Sequence, residues 1–375
     1  MKKLFKEYNS FREKGHCRVP VCHAPSQAIY FGQKGEMSPC CQNRKQIYGV
    51  YPRDSIRASW TSARAVELRR AVEKWDFSKG CKPCLDEIKA KNFLGVQAYW
   101  YDKYADYPID CLHKCFANQE KHDWFCHYPK MLDFEISNLC NLECLMCTSF
   151  WSSTIEKREE GKCNKSPYDE NFVNEIAEFI PNVELIRFFG GEPFLISAYY
   201  NIFEMLIKHN RNARVMVTTN GTILNEKVVR LIDNLTCHIN FSLDSLDKEL
   251  FEKIRKNAKF EDVIEHLEFC IKKRNEGADL DLGLSVCPLS LNLHEMADLI
   301  QFANERDLAI YFNTVVFPPE LVPTNLPRQR LNEILSAFRK MKLPEKTLFE
   351  RLNKSALEGL INRLTADIAA MEEGK

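Results

Sequence analysis

The chain has 375 residues, which is more than one small core needs and suits a barrel-like domain with a smaller module. Its 52 basic and 52 acidic side chains cancel, so the composition excludes a strong global field toward nucleic acid or an anionic membrane. No apolar run approaches about 18 residues, and the first residues lack the apolar stretch of a signal peptide. We expect a soluble, cytoplasmic protein with no nucleic-acid or membrane partner.

Cysteine is the unusual component of the sequence. Of the 16 cysteines, 12 precede residue 148, and only Cys163, Cys237, Cys270 and Cys287 follow. A reducing compartment disfavours disulfides in a chain of this length. Metal or iron–sulfur ligation is therefore our interpretation of the early cysteines, with buried thiols as the alternative.

The first 128 residues show little regular periodicity. One helix is predicted at Ser62–Trp75. The C-x2-C pair Cys81 and Cys84, together with the adjacent cysteines at 40 and 41, also suits a zinc-ribbon-like module. The pattern alone leaves zinc and iron–sulfur open here.

Strand-like and helical patterns alternate from about residue 132 to residue 317. We predict strands at Leu132–Ile136, Leu185–Phe189, Val215–Thr218, Ile239–Leu243, Leu282–Val286 and Ala309–Phe312. We predict helices at Asn171–Phe179, Ile202–His209, Glu226–Leu235, Phe260–Arg274 and Leu293–Asn304. This alternation calls for parallel strands with right-handed crossovers, so the predicted fold class is α/β. Periodicity alone does not choose between an open sheet and a partial barrel.

A proline-rich stretch at Phe317–Pro327 ends the sixth strand–helix unit. Two further helices are predicted, at Gln329–Lys340 and Leu348–Glu373. The predicted domains are therefore residues 1–128, 129–317 and 318–375.

Three cysteines follow the first predicted strand at C-x3-C-x2-C spacing, namely Cys140, Cys144 and Cys147. Cysteine thiolates hold iron–sulfur clusters, and three of them leave one iron of a four-iron cluster open to an outside molecule. A zinc loop completed by a distant fourth ligand, or three ordinary thiols, is the alternative.

This loop resembles the defining motif of the radical S-adenosylmethionine superfamily. The resemblance covers about Met131 to Phe317, with Met146 where the family commonly has an aromatic residue. It implies a partial (β/α)6 TIM-like barrel preceded by a small cysteine-rich auxiliary-cluster domain. It also implies a 4Fe–4S cluster on Cys140, Cys144 and Cys147, with S-adenosylmethionine at the open iron.

Further motifs of the same family fall after the later strands. Phe189-Gly-Gly-Glu-Pro193 resembles the GGEP motif, which meets the methionyl ammonium of the cofactor, and Thr218-Thr-Asn-Gly221 and Asn240-Phe-Ser-Leu-Asp244 follow the next strands. Arg255 matches an arginine that meets the cofactor carboxylate in some relatives, with a solvated helix charge as its alternative. The resemblance thus implies a cofactor-binding set of Gly190, Gly191, Glu192, Pro193, Asn220, Ser242, Asp244 and Arg255.

The front end resembles the SPASM/Twitch auxiliary-cluster domain, which usually follows the barrel. The matching residues are Cys22, Gly35-x4-Cys40, Trp60, Ser62, Arg69 and Cys81-x2-Cys84. This resemblance implies a second 4Fe–4S cluster on Cys22, Cys40, Cys81 and Cys84. Cys17 remains an alternative to Cys22, and Cys41 to Cys40. The roles of Cys111, Cys115 and Cys126 stay open between another cluster and buried thiols.

The family resemblance implies that the protein reductively cleaves S-adenosylmethionine to a 5′-deoxyadenosyl radical, which abstracts hydrogen from a substrate. An electron donor such as flavodoxin or ferredoxin is the expected partner. The first substrate hypothesis is a peptide or protein, as in ribosomal peptide maturation. The alternatives are a carbohydrate or small-alcohol dehydrogenase or epimerase, and a non-catalytic iron–sulfur electron-transfer protein.

Overall fold

A computed structural model describes residues 1–12, 20–104, 128–315 and 317–373. The chain forms two compact units. The first unit comprises Met1–Ser137, Lys165–Arg187 and Asn201–Ala213, and the second comprises Asn138–Asn164, Phe188–Tyr200 and Arg214–Lys375. The division into domains at residues 128 and 317 stays a prediction.

The strands and helices of the described residues are numbered in chain order. The strands are β1 Ala28–Phe31, β2 Glu36–Ser38, β3 Gly49–Val50, β4 Met131–Phe134, β5 Leu185–Phe188, β6 Arg214–Thr219, β7 Cys237–Ser242, β8 Leu280–Val286 and β9 Ala309–Phe312. The helices are α1 Lys2–Phe11, α2 Ala24–Gln27, α3 Ile56–Trp60, α4 Ala63–Glu73, α5 Lys82–Lys89, α6 Gln97–Trp100, α7 Ser153–Glu160, α8 Glu170–Ala177, α9 Ser197–His209, α10 Glu226–Asn234, α11 Lys248–Ile254, α12 Phe260–Asn275, α13 Met296–Glu305, α14 Arg328–Lys340 and α15 Leu348–Glu373. Short 3₁₀ turns lie at Phe93–Gly95, Tyr101–Tyr104, Ile180–Asn182, Pro193–Leu195, Leu293–Glu295, Pro319–Leu321 and Pro323–Asn325.

The first unit orders its strands β3-β2-β1-β4-β5. The β1–β2 and β2–β3 pairs are antiparallel, whereas β1 runs parallel to β4, with Ala28 opposite Met131 and Phe31 opposite Phe134. The rings of Phe31 and Phe134 stack at 5.1 Å, and Phe172 of α8 meets both edge-on. This aromatic contact fixes the register of the parallel pair.

The second unit orders its strands β6-β7-β8-β9, all of them parallel. Two of the helices that connect them, α10 and α11, begin at polar caps. The side chain of Asn225 accepts from the backbone of Lys227 and Val228 before α10, and Asp247 accepts from Leu250 before α11. These caps fix the residues at which α10 and α11 begin.

The predicted fold class is confirmed. The fold is α/β with a mostly parallel sheet, which within the described residues does not close into a full barrel. All six strands predicted from residue 132 onward are present, with ends shifted by up to two residues. Strands β1–β3 were not predicted, because the front end shows no sustained periodicity.

Across the part of the chain that the structure describes, each helix is too short or too polar to traverse a bilayer.

Candidate cofactor and cluster sites

The loop that bears Cys140, Cys144 and Cys147 follows β4 and is held by its own backbone. The Cys140 amide donates to Ser153 Oγ at 3.1 Å, and the Cys147 amide donates to the Cys144 carbonyl at 3.0 Å. The Leu145 amide donates to the carbonyl of Ile254, the last residue of α11, at 2.8 Å. The loop is therefore positioned by the start of α7 and the end of α11, all within the second unit.

The three thiols of this loop lie close enough to influence one another. A hydrogen bond with Cys147 lowers the pKa of the Cys144 thiol, while the same bond raises the pKa of Cys147. Burial raises the pKa of Cys140 to about 11, although the Leu142 amide points at its sulfur from 3.4 Å. Buried thiols with backbone donors fit a metal–thiolate site, because metal binding replaces their protons.

The Gly190–Gly191 turn comes into backbone contact with the cysteine loop. Both glycines have positive φ, +83° and +52°. A Cβ on Gly191 would lie 2.3 Å from the Leu139 carbonyl oxygen, and the Glu192 amide donates to that oxygen at 2.7 Å. The turn therefore requires glycine, both for its backbone angles and for this close approach.

The Glu192 side chain is fully buried, and it links the turn to the end of β6. Its Oε1 accepts from the Phe194 amide at 3.0 Å and from Thr219 Oγ1 at 2.8 Å, and its Oε2 accepts from the Asn220 amide at 2.7 Å. Burial raises its pKa to about 7. Its predicted contact with the cofactor ammonium stays a prediction, because these bonds show the carboxylate serving donors of the protein itself.

Asn220 lies beside the first cysteine of the loop. Its Nδ2 donates to Asn141 Oδ1 at 2.9 Å and lies 3.9 Å from Cys140 Sγ. Its Oδ1 accepts from the Thr222 amide at 2.9 Å. The structure therefore brings Asn220, Glu192 and Cys140 together, as the sequence motifs led us to expect.

Asp244 and Arg255 form a buried ion pair near Cys144 of the cysteine loop. Arg255 Nε lies 2.8 Å from Asp244 Oδ2, and Arg255 Nη1 lies 3.9 Å from Cys144 Sγ. Arg255 is only 7% exposed, so its alternative interpretation as a solvated helix charge is wrong. Asp244 Oδ1 also accepts from the Cys287 amide at 2.7 Å.

The remaining predicted cofactor residues lie in the same unit. Ser242 is half-buried at the end of β7, opposite Ser285 of β8, and Pro193 begins a 3₁₀ turn. Met146 packs with Leu145 and Cys287 against a buried apolar cluster. Cofactor contacts of Gly190, Gly191, Pro193 and Ser242 stay predictions.

The four front-end cysteines line one cavity of the first unit. Cys22, Cys40, Cys81 and Cys84 all face it. Burial raises the pKa of Cys22 and Cys40, and neighbouring thiols raise them further. Cys41 does not line this cavity, and its thiol is influenced by Arg187, Asp133 and Glu135 instead. Cys40 rather than Cys41 therefore lines the cavity, and its role as a ligand stays a prediction.

Hydrogen-bond donors surround the sulfur atoms of this cavity. Asn43 Nδ2 lies 3.4 Å from Cys81 Sγ, and Asn43 also accepts from the Gln46 amide at 3.1 Å. Backbone amides lower the pKa values of Cys22, Cys40 and Cys84 against the larger effect of burial. Amide donors to sulfur are the usual surroundings of cluster thiolates, so the donor set fits a four-thiolate cluster.

Sequence reasoning missed Asn43, which lines this cavity, and the charged pair Asp133 and Arg187 of the same unit. Asn43 lies in a loop without periodicity, and no signal identifies it. Asp133 and Arg187 did leave a signal, because Met131-Leu-Asp-Phe and Leu185-Ile-Arg-Phe each carry one charge at the same place in an otherwise apolar strand. Two opposite charges in neighbouring buried strands indicate an ion pair.

Some predicted ligands lie outside the described residues, namely Cys17, Cys111, Cys115 and Cys126. Within the described ranges, no three His, Cys, Asp or Glu side chains converge tightly enough to share a single metal ion. A four-iron cluster makes a different demand, because each thiolate binds its own iron atom.

Sequence comparison locates the family match in the middle of the chain. Residues 134–303 match the model of the Radical SAM superfamily. A probable GTP 3',8-cyclase of Methanocaldococcus jannaschii is 30% identical over 200 residues, covering 52% of this chain and 62% of that protein. A GTP 3',8-cyclase of Desulforamulus reducens is 26% identical over 187 residues, covering 48% and 54%. The chain thus spans between half and two thirds of the length of these curated relatives.

Two solved structures align with part of this chain. Streptococcus suis SuiB bound to precursor peptide SuiA aligns with a TM-score of 0.42 and 15% identity, over 72% of this chain and 62% of that one. Native anSMEcpe with bound AdoMet and Kp18Cys peptide aligns with a TM-score of 0.40 and 21% identity, over 50% and 51%.

Proposed function

We propose that this protein cleaves S-adenosylmethionine reductively and uses the radical to take hydrogen from a substrate, because residues 134–303 match the model of the Radical SAM superfamily. One contact supports the proposal most. The glycine turn at 190–191 and the cysteine loop meet backbone to backbone, through the Glu192 amide and the Leu139 carbonyl at 2.7 Å. A cofactor that binds both a cluster iron and this turn needs such proximity.

The residues of the chain have separable tasks in this proposal. Cys140, Cys144 and Cys147 would hold a 4Fe–4S cluster, which with bound S-adenosylmethionine supplies a 5′-deoxyadenosyl radical. Glu192 orders the Asn220 loop through its three accepted hydrogen bonds. The Arg255 guanidinium places a positive charge beside the Cys144 sulfur, where it favours the thiolate.

We also propose a second 4Fe–4S cluster on Cys22, Cys40, Cys81 and Cys84. Four protein thiolates leave no iron open for the cofactor, so this cluster would transfer electrons or stabilise its unit. An electron donor such as flavodoxin or ferredoxin and a cytoplasmic location complete the proposal. The division at residues 128 and 317 would then separate an auxiliary module, a catalytic module and a helical extension.

The substrate class has two candidates. Our first hypothesis is a peptide or protein, by analogy with SPASM/Twitch enzymes. The sequence relatives favour a second candidate, since those named above are GTP 3',8-cyclases. Conversion of a purine nucleoside triphosphate is therefore the second proposed activity, and it would be a cyclisation rather than an oxidation.

The test begins with anaerobically reconstituted protein. We expect about eight iron atoms per chain and 5′-deoxyadenosine formation with a strong reductant. Changing Cys140, Cys144 and Cys147 together to Ala should remove about half of the iron and all cleavage. Cys163→Ala, at an exposed cysteine of the same unit, is the matched control and should change neither.

Two results would separate the alternatives. Zinc in the purified protein, with no iron absorption after reconstitution, would contradict the proposal. Consumption of GTP with stoichiometric 5′-deoxyadenosine would select the nucleotide hypothesis, and its absence would leave the peptide hypothesis as the one to pursue.

A further inference from the structure

A buried ion pair joins neighbouring strands of the first unit. Arg187 Nε of β5 donates a hydrogen bond to Asp133 Oδ1 of β4 at 2.6 Å, and Arg187 Nη2 donates a second one to Asp133 Oδ2. The Asp133 side chain is 0% exposed and that of Arg187 is 15% exposed. Two opposite charges are thus held in a bidentate geometry away from solvent.

Tyr101 connects this ion pair to the four-cysteine cavity. Its ring lines the cavity together with Cys22, Cys40 and Cys84. Its hydroxyl donates to Asp133 Oδ2 at 3.3 Å and accepts from Arg187 Nη2 at 3.2 Å. One fully buried side chain therefore touches both the cavity and the ion pair.

The charges of the pair act on the surrounding groups. The Asp133 carboxylate outweighs burial and raises the pKa of Arg187, so the guanidinium stays charged. Burial, followed by Asp133, raises the pKa of Tyr101. The hydroxyl therefore stays protonated and stays neutral between the ion pair and the cavity.

We propose that the Asp133–Arg187 ion pair sets the reduction potential of the cluster held by the four front-end cysteines. Tyr101 connects the pair to the cavity that would hold this cluster. This inference rests on the proposed second cluster. The reduction potential of an iron–sulfur cluster depends on nearby charge, on hydrogen bonds and on exclusion of solvent. A charge in a low-dielectric interior acts over a longer range than one in water.

The proposal fixes the sign of each change. Reduction adds a negative charge to the cluster. Asp133→Asn leaves the Arg187 cation unbalanced, so it should make reduction easier. Arg187→Gln leaves the Asp133 anion, so it should make reduction harder. We expect a change of about tenfold in the reduction equilibrium in each direction, which is 59 mV for one electron. The double variant should return close to the parental potential.

The measurement is a redox titration followed by electron paramagnetic resonance on the full-length, reconstituted protein. The signal of interest is the one that S-adenosylmethionine does not perturb, because the four-thiolate cluster has no open iron. Glu184→Gln is the matched control. It breaks the exposed ion pair of Glu184 and Lys130 at 2.5 Å in the same unit and should leave the potential unchanged.

A merely structural ion pair would alter stability without moving the potential. Equal potentials in Asp133→Asn and the parent, at equal iron content, would overturn the proposal. If Asp133→Asn does not fold, Arg187→Gln is an independent test with the opposite sign, and Arg187→Lys should keep the parental value. A parent that holds only about four irons would instead refute the proposed second cluster.

Discussion

Nε of Arg255 lies 2.8 Å from Oδ2 of Asp244, and both side chains are buried. Arg255→Ala would leave the carboxylate without its cation in a site that already raises the pKa of Asp244 by burial. We expect this change to cost about 3–5 kcal/mol in the free energy of unfolding, measured by urea denaturation at equal iron content.

The double variant Arg255→Met/Asp244→Asn should recover much of that loss, because Asn can still accept from the Cys287 amide. Lys248→Ala, in the exposed pair with Glu261, is the control and should cost less than about 1 kcal/mol. If the double variant were as unstable as the single one, the unpaired charge would not be the cause.

Glu192 should make the stability of the protein depend on pH. Burial raises its pKa from 4.5 to about 7 in the folded state. A raised pKa favours the protonated folded form, so this contribution is complete below the unfolded pKa and is lost as the pH rises through about 7. The stability of the parent relative to Glu192→Gln should therefore fall between about pH 4.5 and pH 7.

Glu192→Gln should also carry a cost that does not depend on pH, because its amide nitrogen would face an N–H or O–H donor where a carboxylate oxygen now accepts. Urea midpoints of both proteins across this pH range measure the two effects together. A difference that stays constant with pH would show that Glu192 does not titrate in this range.

Cys40 and Cys41 are neighbours in sequence, but replacing each of them should affect the iron content differently. Cys40 lines the four-cysteine cavity, whereas Cys41 lies among Arg187, Asp133 and Glu135. Cys40→Ala should remove about four iron atoms per chain, and Cys41→Ala should keep them. Iron analysis with circular dichroism as the folding control measures this, and the reverse result would exchange the two assignments.

Gly191→Ala should disturb the cofactor site more than the same substitution at a glycine that has a positive φ but open space around it. Gly191 and Gly161 both have positive φ, but a Cβ at Gly191 would strike the Leu139 carbonyl at 2.3 Å, while nothing lies within 4 Å at Gly161. Gly161→Ala should cost about 1 kcal/mol of stability and leave cofactor binding intact. Gly191→Ala should weaken S-adenosylmethionine binding by about tenfold or more, as equilibrium dialysis can measure. Equal affinities in the two variants would contradict this role of the turn.

The barrel-like part of the fold could be predicted from sequence because its strands are short apolar runs between clearly periodic helices. The front end could not. Ala-Ile-Tyr-Phe occurs twice, at 28–31 and at 309–312, and both copies are strands. Only the second was predicted, because a helix with a clear period precedes it. The first has cysteines and turn residues around it and no periodic helix before it, so it carries no comparable signal.

The cofactor and cluster roles of the candidate site residues stay predictions. The structure shows only that Cys140, Glu192 and Asn220 lie close together. Sequence could not reveal that Glu192 serves three internal donors, or that Arg255 pairs with Asp244, because these bonds join residues that are distant in the chain. The ion pair of Asp133 and Arg187 was readable in principle from two isolated charges in apolar strands.

The parallel pairing of β1 with β4 has a consequence for the order in which the protein is made. Phe31 and its partner Phe134 are roughly a hundred residues apart. At usual rates of translation β1 leaves the ribosome about 5–20 s before β4 does. During that interval β1 has β2 on one side and an open edge on the other. That edge can pair with a second nascent chain on the same messenger, so spacing between ribosomes should influence how much of the protein folds correctly.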